Sequence, residues 1–159
     1  MARELRVGAG VKPPSKLLLL AEFRAVGELA LGLASLPVLA SAPRGDGHTV
    51  LVLPGFLTYD RVSGENPEHT RPADIEALAG DLPVAATSIY SRTDGIVHWR
   101  ASRVQPSDNA ENIEVRGASH IGLRVNPAVM LAVADRLAQP DGQFTPFGHS
   151  GPFSLAYRH

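Results

Sequence analysis

The chain has 159 residues, 44% of them apolar, which suits one domain with a single core. A formal net charge of −1 supplies no field to gather nucleic acid or an anionic membrane. Cysteine is absent, which excludes disulfides, thiolate metal sites and a cysteine nucleophile, and which fits a reducing cytoplasm.

Residues 1–15 form a Gly- and Pro-bearing lead-in without periodicity. Pro14 and Ser15 then open a Leu- and Ala-rich helix over 16–36, within an N-terminal segment that runs to residue 40. Leu20, Phe23, Gly27, Ala30, Leu31 and Ala34 fall at i, i+3 and i+4 spacings and define the stripe expected to be buried. Glu22, Arg24 and Glu28 interrupt the apolar run, and Leu29 to Ala42 offers only 14 residues without a charge. A spanning helix needs about 20. The segment therefore reads as a soluble packing helix, with contact at a membrane surface as the alternative. Pro37 ends or kinks it.

A turn cluster over 41–47 precedes Thr49 to Leu53, a short apolar run bounded by Pro54 and Gly55. That pattern predicts a strand, within 48–57, buried on both faces of a parallel sheet. Residues 58–82 are the least readable; Ser63 to Pro67 is loop-like, and Pro72 to Ala79 resembles a short helix. Val84 to Ser91 alternates and predicts a second strand, ending in the turn Arg92-Thr93-Asp94-Gly95. Asn112 to Arg116 predicts a third, ending at Gly117. Asn126-Pro127 signals a helix start, and Ala128 to Ala138 is the helix, with Val129, Leu131, Val133, Ala134 and Leu137 available for packing. Residues 140–159, containing Gly and Pro, read as a loose tail.

Asp94 and His120 each fall just past the C-terminal end of a predicted strand, the rim where open α/β sheets collect catalytic side chains. A carboxylate there can fix the tautomer of a neighbouring imidazole and stabilise its charged form. Taken singly, Asp94-Gly95 is also a common turn, and His120 a common loop residue. His98 and Trp99 follow the acid turn and could line a pocket, but read first as packing and surface residues. The six histidines lack close metal-ligand spacing, so neither a metal nor a cofactor is expected.

The segment Ile89-Tyr90-Ser91-Arg92-Thr93-Asp94-Gly95-Ile96-Val97 resembles the acid loop of α/β-hydrolases, and Gly117-Ala118-Ser119-His120-Ile121-Gly122 resembles their histidine loop. Val50 to Phe56 resembles the early strand that leads into the oxyanion loop. The resemblance is to bacterial esterase- or lipase-like members that begin with a Leu-rich helix, and it covers residues 16–57 and 83–147. It implies a truncated α/β-hydrolase-like parallel sheet of about three strands flanked by helices. It also implies Asp94 and His120 as catalytic acid and base, and the Phe56 amide as an oxyanion donor.

One part of the family pattern is missing. The nucleophile serine belongs in G-x-S-x-G at a strand-to-helix elbow between the oxyanion strand and the acid. Only the 25 residues Thr58 to Leu82 fill that interval, and Ser63, their one serine, has Arg61 and Glu65 at the glycine positions. A βα unit takes roughly 30 residues, so the interval reads as an internal deletion beginning near Leu57–Tyr59. Of the other ten serines, Ser119 and Ser150 each have one glycine in place and lack the second.

The expectation is a protein of carboxylic ester hydrolase ancestry with little or no activity. The alternatives are a weak esterase that uses an unrecognised serine or an activated water, and a non-catalytic module binding a lipid-like ligand or a protein. A small ester or lipid-like molecule is the implied ligand, and nucleic acid is not expected as a partner. With central strands missing, exposed sheet surface would favour a homo-oligomer.

Overall fold

A computed structural model describes residues 13–45, 47, 84–148 and 150–158. The predicted strand at 48–57, Phe56 within it, the loop and helix expected over 58–82, and Ser63 lie outside the described residues.

Ser15 caps the first helix, its hydroxyl accepting from the Leu18 amide at 3.3 Å. The predicted single helix is three: α1 (Lys16–Leu20), a 3-10 turn (Ala21–Arg24), α2 (Ala25–Ala34) and then α3 (Leu36–Leu39). Pro37 stands in the first turn of α3, where its missing N–H is no loss. The expected buried stripe is turned outward: Leu20 is 63% exposed and Phe23 82%, with Gly27, Ala30, Leu31 and Ala34 exposed as well. The inward face instead carries Leu18, Glu22, Ala25, Glu28, Gly32 and Ser35, again at helical spacing but, Leu18 apart, polar or small. Its partners are loops with main-chain groups to satisfy, so acceptors and donors belong there. Among the described residues, no helix is long and apolar enough to cross a membrane.

Strands β1 (Ala86–Tyr90) and β2 (Ala110–Val115) pair in parallel, with Ile89 opposite Ile113 and Tyr90 opposite Glu114. Both fall within two residues of their predicted positions. The protein has a small α/β arrangement, but its sheet is mixed: β3 (Tyr157–Arg158) pairs antiparallel with β2, Val115 opposite Tyr157. The tail expected to be loose thus covers the second edge of β2. Tyr157 is fully buried, its hydroxyl donates to the Ala128 carbonyl at 2.7 Å, and its ring meets Phe147 edge-on at 4.8 Å. Arg136 adds bonds of 2.6 Å to both Glu111 and the Thr145 carbonyl, tying tail, helix and strand together.

Helix α4 (Pro127–Leu137) starts as its sequence predicts, with the Asn126 side chain accepting from the Ala128 and Val129 amides. Of the residues predicted to pack, Val129 lies against the core, Leu131, Ala134 and Leu137 are half-buried and Val133 is exposed. Ala128 and Ala132 are buried in the core, whereas Val133 is 40% exposed. The core is Ile113, Val115, Ala118, Ala128, Ala132 and Tyr157, with Ile89, Leu123 and Val129 packed around it.

Candidate active site

Parallel pairing brings the C-terminal ends of β1 and β2 side by side, so the turns that follow them are neighbours. Asp94 and His120 meet there: imidazole Nδ1 lies 2.8 Å from carboxylate Oδ2, and both side chains are buried. The other carboxylate oxygen, Oδ1, accepts from the amides of Ile96 (2.8 Å) and Val97 (2.7 Å). Burial alone would raise the Asp94 carboxyl. The bonds from His120, Val97 and Ile96 outweigh it and hold the group below its ordinary value, so it is ionised at neutral pH. An ionised Asp94 accepts a hydrogen bond from Nδ1–H, which leaves the Nε2 lone pair free to act as a base.

Hydroxyls in the two turns are committed elsewhere. Ser119 is fully buried, donates to Glu28 at 3.1 Å and accepts from the Gly122 amide at 2.9 Å. Ser91 pairs with the Thr93 hydroxyl at 3.0 Å, and Ser150 is exposed in the tail. Among the described residues, no hydroxyl is hydrogen-bonded to the imidazole.

The sequence reading missed a third contributor, the polar face of the N-terminal helices. Glu22 Oε1 accepts from the amides of Gly95 (2.8 Å) and His120 (3.0 Å), and Oε2 from Ile121 (3.2 Å). Arg24 donates to the carbonyls of Thr93 (2.6 Å), Ala118 (3.0 Å) and Gly117 (3.1 Å). Glu28 accepts from the Ser119 amide at 3.0 Å and meets Arg24 at 3.3 Å. The 3-10 turn helps both Glu22 and Arg24 reach the same loops. Residues two apart diverge by roughly 160° on an α-helix and by about 120° on a 3-10 helix. The signal in the sequence was three charges interrupting a Leu-rich helix.

Beside Asp94 lies an open pocket of about 250 Å³, walled by Pro13 to Ser15, Leu18, Arg92, His98 and Trp99. The His120 imidazole is not part of its wall. Trp99 is stacked on Tyr90 at 6.1 Å, with the Arg92 guanidinium 4.6 Å from its ring centre, so it is half-buried packing that, with His98, also lines the pocket. Among the described residues, no three metal-ligating side chains converge.

Comparison with known proteins finds no matching family model, no similar curated protein and no similar solved structure.

Proposed function

We propose that the chain is an α/β-hydrolase-like protein of carboxylic ester hydrolase type, with Asp94 as acid, His120 as base and no serine nucleophile in place. The observation that carries the reading is the buried 2.8 Å contact of His120 with a carboxylate whose second oxygen is held by two amides. Such a pair has the parts of a general base oriented by a charge. Without a nucleophile the covalent route is closed, and ester turnover is slow or nil. The route left open uses water. His120 Nε2 takes a proton as the water oxygen bonds to the ester carbonyl carbon. The tetrahedral oxyanion then expels the alkoxide, which recovers that proton from Nε2. The Phe56 amide is the oxyanion donor that the resemblance implies.

Short-chain aryl ester hydrolysis with fluorophosphonate labelling tests this reading. The expected result is slow hydrolysis at most, lost in His120→Ala, with no serine labelled. Rapid labelling with a burst of product would refute the missing nucleophile. A slow rate unchanged in His120→Ala would refute the base.

The exposed apolar face of the N-terminal helices favours a second reading, a module that binds a lipid-like ligand or another copy of the chain. Saturable fatty-ligand binding without turnover, or a dimer by light scattering, would support it; a monomer that binds no such ligand would not.

A further inference from the structure

The two turns that carry Asp94 and His120 follow separate strands, and the sheet ends before either side chain. Among the described residues, what joins them beyond the pair itself is one bond from the Thr93 hydroxyl to the Ala118 carbonyl, at 3.0 Å, and the N-terminal helices. The Glu22 carboxylate is the closest join. A single oxygen, Oε1, receives the amide next to Asp94 and the amide of His120 itself. Its second oxygen holds the following residue, Ile121. Arg24 answers from the same turn by collecting carbonyls of both loops.

Independent features of the sequence make room for this docking. A Cβ at Gly95 would overlap the Leu18 carbonyl, and one at Gly122 would overlap the Glu28 carboxylate. Each loop therefore carries a glycine where a helix crosses it. Glu22 is only 7% exposed, and its bonds among the described residues are all to main-chain amides. A carboxylate is costly to bury unless it is so bonded, and charge-assisted bonds of this kind are stronger than neutral ones.

We propose that Glu22 is the positioning residue of the Asp94–His120 pair: its buried carboxylate clamps the amides of the acid turn and the histidine turn together and so fixes the Nδ1–Oδ2 contact. Its importance for activity rests on reading that pair as acid and base; its effect on geometry does not. Glu22 touches no reacting atom and acts through the two turns.

Nuclear magnetic resonance of the full chain labelled with nitrogen-15 tests the proposal through the low-field proton on His120 Nδ1. In a Glu22→Ala protein that keeps a native amide spectrum, that signal is lost; its persistence at the wild-type position would overturn the proposal. Glu22→Gln keeps one acceptor oxygen for Gly95 and His120 but turns an NH2 toward Ile121. It is expected to retain the signal while the Ile121 amide exchanges about tenfold faster, the scale of one lost bond to a charged group. If Glu22→Ala does not fold, Glu22→Gln decides: unchanged exchange at Ile121 would overturn the proposal. Asp94→Asn separates the two levels. Loss of the low-field signal there is expected, and its survival would show that the pair itself is misread whatever Glu22 does.

Discussion

Tyr157 decides whether the C-terminal segment is part of the core or lies loosely against it. Its ring is 1% exposed, and its hydroxyl donates to the Ala128 carbonyl at 2.7 Å. Tyr157→Phe removes the bond to Ala128 and is expected to cost about 1 kcal/mol at neutral pH. Tyr157→Ala also leaves a cavity and is expected to cost about 3–5 kcal/mol, by analogy with other large buried aromatics. The phenol adds a pH signature. Burial, with a smaller contribution from Asp135, pushes its pKa from 10.0 up to about 12. A raised folded value means the stabilisation is complete below pH 10 and is lost as pH rises from 10 through about 12. The loss runs at about 1.4 kcal/mol per pH unit in that window. Phenylalanine cannot ionise, so the wild-type advantage at pH 7 should shrink and then reverse at high pH. Tyr90 is also raised by burial, so the informative quantity is the difference between the two proteins. Urea unfolding followed by far-ultraviolet circular dichroism at pH 7, 10 and 11 measures it. A constant difference across that range, or Tyr157→Ala as stable as wild type, would refute the reasoning.

Asp94 contributes in the opposite direction. Its folded pKa lies below the ordinary 3.8, so its stabilisation is complete well above that value and is lost as pH falls through it toward the folded value. The stability gap between wild type and Asp94→Asn should therefore narrow from pH 7 to pH 3 in urea unfolding; a constant gap would contradict it. Gly95→Ala should force a Cβ into the Leu18 carbonyl and lift the first helices off the acid turn, costing about 1–3 kcal/mol. Faster tryptic cleavage after Arg24 would report that release, and an unchanged cleavage rate would exclude it.

The strands and the second half of the site were legible because their signals are local. Alternation marked β1, Asn126-Pro127 marked the start of α4, and turn residues placed Asp94 and His120 past two adjacent strand ends. The N-terminal helices were misread for a physical reason. Hydrophobic periodicity assumes that a helix buries its apolar stripe against an apolar core. Here the partners are turns with unsatisfied amides and carbonyls, so Glu22 and Glu28 face inward while Leu20 and Phe23 face out. β3 is two residues long, too short to carry any period, and its anchor was a single tyrosine among glycines and prolines. The predicted oxyanion strand and Phe56 lie outside the described residues.

The reach of Glu22 and Arg24 along the chain has a consequence for assembly. Their bonds to the acid turn span 73 and 69 residues, and those to the histidine turn 93 to 99. Contacts of such separation form late, because a long loop must close first. Until those turns emerge from the ribosome, Glu22 lacks the amides it holds, and Arg24 has only neighbours such as Glu28 and the Ala21 carbonyl. The histidine turn is the last piece to arrive and the one that completes the clamp.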